Sequence, residues 1–194
     1  MFKTFTLVLF KERKGFTLIE LMVVMVIITI ITTIVLMNYR SGDQQLALNR
    51  AANKLAQDIR RAQEMTMSAA QCEPCGDTVP PGYGVVLSRG VWATRYRIYA
   101  DDGDEEFDAG DTIIGEPIDL EAGVFIKWVA IDSSPANCQS GIVNFKPPDP
   151  IVNISSHGPN RTGEPWIEIT LALELDDSKT KIVKVNQVGL IYVE

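Results

Sequence analysis

The spacing of hydrophobic and polar positions divides the chain into a membrane-length apolar run, a two-sided helical stretch and a series of alternating segments. Residues 21–37, LMVVMVIITIITTIVLM, carry no charge, and with 16–20 ahead of them they make a run of 22 residues in which Glu20 is the one charge. As a helix at 1.5 Å per residue this run spans roughly 33 Å, enough to cross the hydrocarbon layer of a bilayer. From Asp43 to Ala70 there is no Pro or Gly, and Leu48, Ala51, Ala52, Leu55, Ile59, Ala62 and Thr66 recur at spacings of three and four. That periodicity predicts one buried helical face, with Arg50, Lys54, Asp58, Arg60, Arg61 and Glu64 on the other side. The two stretches read together as one helix from about Thr17 to Ala69, roughly 80 Å long. Ser41-Gly42-Asp43 is its weak point, where a bend or melted turn is expected, and Pro74 and Gly76 end the helical pattern.

After Pro74 the period changes. Residues 82–87 and 94–100 flank Ser88-Arg89-Gly90 and predict a hairpin. Further strands are expected at 124–131, 142–145, 181–185 and 190–193. The strongest alternation is 166–175, where Ile167, Ile169, Leu171, Leu173 and Leu175 share a face against Glu168, Thr170 and Glu174. One long helix followed by strands at hairpin spacing predicts an α+β fold with antiparallel sheet packed on the helix.

Charge sharpens the picture of the amino-terminal run. Residues 1–15 hold four of the 18 basic residues and one of the 25 acidic ones, leaving 14 against 24 in the remainder. The basic flank is expected to stay cytoplasmic and the rest to be exported. An acidic remainder of about −10 disfavours nucleic acid. Within the apolar run, a lone carboxylate costs about 2.5–3.5 kcal/mol on insertion scales, so Glu20 needs a partner or a purpose.

Three cysteines, Cys72, Cys75 and Cys138, lie on the exported side, where disulfides persist. A zinc site would need further ligands, but His157 is the only histidine and there is no second Cys-x-x-Cys. A structural disulfide with one thiol left over is expected; Cys72 with Cys75, and Cys138 with either, all stay open. The one candidate for a metal is the run 101–111, with seven carboxylates. Asp101, Asp102, Asp104, Asp108 and Asp111 are oxygen ligands of the kind calcium uses, although their spacing is not that of an EF-hand and turns between strands are often rich in Asp and Gly anyway. No other cofactor is expected. His157 sits beside Gly158-Pro159, no nucleophile–base set is apparent, and an enzyme is not expected. Asn153-Ile154-Ser155 and Asn160-Arg161-Thr162 match the glycosylation acceptor pattern, which is common by chance.

The junction Lys-Gly-Phe-Thr-Leu-Ile-Glu-Leu, residues 14–21, resembles the processing site of type IV prepilins and type II secretion pseudopilins. The resemblance implies a leader peptide at 1–15, cleavage between Gly15 and Phe16 by prepilin peptidase, N-methylation of Phe16, and an assembly charge at Glu20. It implies a transmembrane segment at 16–37, an amphipathic continuation of the helix at 38–73 and a β-rich head at 74–194. The tip subunit of the secretion filament typically lacks the Glu, so Glu20 points away from that position.

In the head, the order of elements resembles the GspH/FimT-type minor pseudopilins, whose pilin-like head is built on two antiparallel sheets. The parallel rests on Gly-Tyr-Gly-Val at 82–85, the acidic hairpin at 101–111, Ile-Val-Asn-Phe at 142–145 and Val-Asn-Gln-Val-Gly-Leu-Ile at 185–191. The function so implied is that of a minor pseudopilin of type II secretion, single-pass in the bacterial inner membrane with a periplasmic head, then part of a periplasmic pseudopilus. The partners implied are other pilin or pseudopilin subunits, the peptidase, an inner-membrane assembly platform and membrane lipid. The alternative is a minor pilin of a type IV pilus, serving assembly, adhesion or DNA uptake. The acidic head and the Ile-Tyr-Val-Glu terminus, with no Arg pair, speak against DNA.

Overall fold

A computed structural model describes residues 15–90, 93–131, 138–148, 152–156, 161–162 and 165–194, with the backbone alone at 37–41. Leader residues 1–14, His157 and Asn160 lie outside this set. Two compact units divide between Ser41 and Gly42.

Helix α1 runs Leu18–Met67. Its start is encoded locally: Thr17 precedes the first turn and its Oγ1 accepts the Glu20 N–H at 3.3 Å. Thr-Leu-Ile-Glu has the spacing of a capping box, in which a hydroxyl and a Glu or Gln three residues on satisfy the free amides of the first turn. In the first unit, Leu18–Leu36 is long and apolar enough to cross a membrane, and none of it is buried within the protein. Its threonine hydroxyls are spent internally: Thr29, Thr32 and Thr33 donate to the carbonyls of Val26, Ile28 and Thr29 at 2.7–2.8 Å. A hydroxyl with an in-helix acceptor enters hydrocarbon at much lower cost than a bare one.

Residues 41–43 are helical, so the expected melted turn is not found, although the division between units falls there. The helix ends at Met67, close to the Ala69 end read from the sequence and short of residue 73, to which the resemblance extended it. Ala69 takes a left-handed φ of 48°, the Ala70 N–H bonds the Met65 carbonyl at 3.0 Å and the Ala69 N–H that of Thr66 at 3.2 Å. This is a Schellman ending with alanine where glycine is usual.

In the second unit, the described residues form ten strands: β1 Gly82–Ser88, β2 Arg95–Asp101, β3 Thr112–Asp119, β4 Val124–Ile131, β5 Ser140–Phe145, β6 Val152–Ser156, β7 Arg161–Thr162, β8 Trp166–Leu173, β9 Thr180–Asn186 and β10 Ile191–Val193. They form a six-stranded sheet of order β3-β2-β1-β5-β6-β7 and a four-stranded sheet of order β10-β9-β8-β4. Every pairing is antiparallel. The architecture is α+β, a long helix with two antiparallel sheets, as in pilin-like folds.

The helical face read from the sequence is the buried one: Leu48, Ala51, Ala52, Leu55, Ile59, Ala62 and Thr66 are all inaccessible, and Ala56 joins them. All but Thr66 share one apolar cluster with Tyr83, Val85, Phe145 and Ile154 of the larger sheet and Ile167, Ile169, Leu171 and Val185 of the smaller. At Gly141 the sheets come together, and a Cβ there would lie 2.6 Å from Ile167 and 2.7 Å from Val129. Only hydrogen fits. Polar ties reinforce the apolar packing: the Tyr96 hydroxyl donates to Asp58, Lys54 Nζ to the Asp119 carbonyl and Arg60 to the Ile191 carbonyl.

Two expectations need correction. Strands β3, β6 and the two-residue β7 lie outside the strands the sequence predicts, Gly115 and Pro117 breaking the alternation of β3 and Pro147-Pro148 preceding β6. Pro117 is tolerated because β3 is an edge strand, with a register shift opposite Tyr96–Ile98. Leu175 does not continue the buried face of β8. The strand ends at Leu173 and Leu175 is 84% exposed.

Candidate functional site

Gly15 and Phe16 precede α1 in non-helical backbone and both are exposed. Among the described residues, a Cβ at Gly15 would meet no atom within 4 Å. Phe16 is 82% exposed. Glu20 occupies the third helical position, where a carboxylate complements the positive end of the helix dipole. It therefore has a local role in starting the helix as well as the assembly role implied for it, and any substitution must separate the two.

The second site is the loop between β2 and β3. Across β2, β1 and β5, the residues Tyr99, Gly84 and Asn144 stand opposite one another. They occupy the face opposite the one that carries Tyr83, Val85 and Phe145 into the core. The Tyr99 ring lies over Gly84, where a Cβ would sit 2.5 Å from the hydroxyl, so glycine leaves the room the ring takes. The acidic loop folds over this face. Phe107 meets Tyr99 edge-on, with centroids 4.9 Å apart, and Glu105 binds Lys146 and Asn153. Tyr99 and Asn144 are consequently buried.

Of the five aspartates singled out from the sequence, the structure brings Asp101, Asp102 and Asp111 together, with one carboxylate oxygen of each within 4.8 Å of the others. Asp104 and Asp108 stay outside this group and instead cap the loop, accepting the N–H of Glu106 at 2.9 Å and of Gly110 at 2.6 Å. Asp111 accepts from the backbone of Asp102 and Asp108, each at 3.1 Å. Burial nonetheless pushes Asp111 up to about 6, against the lowering effect of those two N–H groups and helped by the charges of Asp101 and Asp102. Burial likewise raises Asp101, while the Glu105 N–H and the nearby Asn144 amide oppose the rise. Burial also raises the Tyr99 phenol, aided by the carboxylates of Asp101, Asp111 and Asp104.

Sequence reasoning missed Tyr99 and Asn144 as members of this site. The available signal was Asn144 itself, a polar residue alternating with Val143 and Phe145 in a strand whose every position is buried.

The cysteines resolve as Cys72 bonded to Cys75 around the 3-10 turn Glu73–Cys75, with Cys138 free and buried. The disulfide closes the segment that leads from the helix into β1. The Cys72 carbonyl adds two bonds of its own, from the N–H groups of Cys75 and Asp77.

No curated protein and no solved structure matches the chain. Residues 10–36 match the family model of the prokaryotic N-terminal methylation motif. That motif implies processing by prepilin peptidase and assembly with other pilin subunits, and the amino-terminal apolar helix fits membrane anchoring of such a protein. The motif and the apolar helix behind it support a type IV pilin-like protein.

Proposed function

We propose that the chain is a structural minor pseudopilin of a type II protein secretion system, cleaved after Gly15, N-methylated at Phe16 and assembled into a periplasmic pseudopilus. The observation that carries the reading is the junction: exposed Gly15-Phe16, then a single carboxylate, Glu20, at the head of a 19-residue span none of whose residues is buried within the protein. A span so exposed must be covered by lipid, by neighbouring subunits, or by one after the other. Cleavage frees a cationic amine at Phe16, and the amine of one subunit then neutralises Glu20 of the next. At about 4 Å and an effective dielectric near 20 the attraction is about 4 kcal/mol before desolvation is subtracted.

The acidic head and the carboxy-terminal Ile-Tyr-Val-Glu, with no Arg pair, support the secretion role over a type IV pilus subunit engaged in DNA uptake. The role is structural and not catalytic. Glu20→Gln tests it well, because Gln keeps the capping-box geometry and removes only the charge. The variant should be cleaved and stay in the membrane, yet fail to enter sheared filaments or to cross-link to neighbouring subunits. Incorporation at the wild-type level and equal expression would overturn the charge-pairing mechanism. Loss of exoprotein export with surface pili intact, on deletion of the gene, is the outcome expected of the secretion role; the reverse assigns the chain to a pilus.

A further inference from the structure

We propose that the loop between β2 and β3 closes over the outer face of the six-stranded sheet around one calcium-sized divalent cation, held by Asp101, Asp102 and Asp111 with Asn144 of β5 as a neutral oxygen ligand. The inference is independent of how the amino-terminal junction is processed.

Three carboxylates with oxygens within 4.8 Å of one another are common on protein surfaces and carry no weight alone. The second observation is Asn144. The residue is 1% exposed, and among the described residues neither its Oδ1 nor its Nδ2 has a hydrogen-bond partner. A buried amide with both ends unmatched costs several kcal/mol if nothing else meets it, so such groups normally mark a bound water or ion. The side chain is aimed at the acidic cluster. Its Oδ1 lies 3.2 Å from where a Cβ of Gly82 would be, and Gly82 is the residue paired with Asp101. The amide stands close enough to Asp101 to favour its charged form. Placing a cation between them satisfies the carbonyl oxygen and the carboxylates at once.

The surroundings fit a cation and not merely water. Glu105 and Lys146 pair at the border of the site, which removes Glu105 from the ligand set and leaves three aspartates facing one nearby cation whose charge is already shared with Glu105. Hard carboxylate and amide oxygens are the donors calcium takes, in six- to eight-fold irregular geometry, the rest of the shell being filled by backbone carbonyls and water. Magnesium demands a near-ideal octahedron and keeps its waters, so a loop that supplies three closely set carboxylates and one amide favours the larger ion. The loop also needs a fastener. Seven carboxylates in eleven residues repel one another, and a single divalent ion at their base removes most of that repulsion.

The test uses the full chain in non-ionic detergent, stripped of metal with a chelator and titrated calorimetrically with calcium chloride. One saturable site per chain is expected, with a Kd no weaker than about 10⁻³ M, the range of extracellular calcium modules. The melting temperature should rise with calcium and not with equal magnesium. Asp111→Asn should weaken calcium at least about tenfold. Asn144→Asp, which adds a carboxylate, should bind calcium more tightly while melting lower than wild type in chelator. Terbium excited through tyrosine should luminesce in the wild type and much less in Tyr99→Phe, whose calcium heat should be retained. Absence of saturable calcium binding overturns the proposal, as does wild-type affinity in both Asp111→Asn and Asn144→Asp. An equal response to magnesium overturns the choice of ion.

Discussion

Thr66 offers a sharp test of how the helix is fixed to the larger sheet. Its side chain is buried at the last turn of α1, donating to the Ala62 carbonyl at 3.0 Å. The same oxygen accepts the backbone N–H of Tyr83 at 3.1 Å, and it lies 3.4 Å from the Phe145 carbonyl. The hydroxyl is thus the acceptor for a buried amide at the second residue of β1. Thr66→Val keeps the shape and the branched Cβ but leaves the Tyr83 N–H with no acceptor, a penalty of about 1–3 kcal/mol. Thr66→Ser keeps the acceptor and removes one methyl, a loss of about 1 kcal/mol. At about 2–4 °C per kcal/mol for a chain of this size, Val should lower the melting temperature by up to about 10 °C. Thermal unfolding of the full chain in mild detergent, followed by tryptophan fluorescence, reads both variants. A Val variant as stable as wild type, or more stable than Ser, would refute the assignment of Thr66 as the acceptor.

Ala69→Gly should raise the melting temperature, because alanine in the left-handed region costs roughly 1–2 kcal/mol that glycine avoids; an unchanged or lower value would contradict the Schellman ending. Gly84→Ala should destabilise by about 1–3 kcal/mol, since the new methyl runs into the Tyr99 ring, and a neutral result in the same melt would mean that the ring does not lie over β1. Peptide mapping without reductant should return a Cys72–Cys75 peptide and an unpaired Cys138. Replacing Cys75 by Ser should lower stability by about 2 kcal/mol for so short a loop, whereas a Cys138-containing disulfide would contradict the pairing.

How much of this was visible in the sequence depended on whether a residue's environment is set locally or by distant strands. The membrane run and the buried face of α1 are periodic over many residues, so Leu48 through Thr66 could be named outright. The way α1 ends could not: the Schellman turn uses Ala69, a strong helix former, and only the backbone reveals it. Strand β3 was hidden because its irregular edge position tolerates Gly115 and Pro117, both of which argue against a strand. The acidic loop was plain in composition, but which aspartates converge depends on how the loop folds back, and that selected Asp101, Asp102 and Asp111 over Asp104 and Asp108. Asn144, more than 30 residues further on, enters the site only through the pairing of β5 with β1. The disulfide was narrowed to three cysteines by sequence and decided by the 3-10 turn that brings Cys72 and Cys75 together.

The central claim is that Gly15-Phe16 is a processing junction, and the intact mass of the protein extracted from membranes tests it most directly. The wild type should begin at Phe16 and carry about 14 Da beyond the unmodified fragment, one methyl group on the new terminal amine. Gly15→Val, which places a branched side chain at the cut, should retain the leader and lack the methyl group. A wild-type mass that includes residues 1–15, or a Gly15→Val variant processed in full yield, would contradict the account.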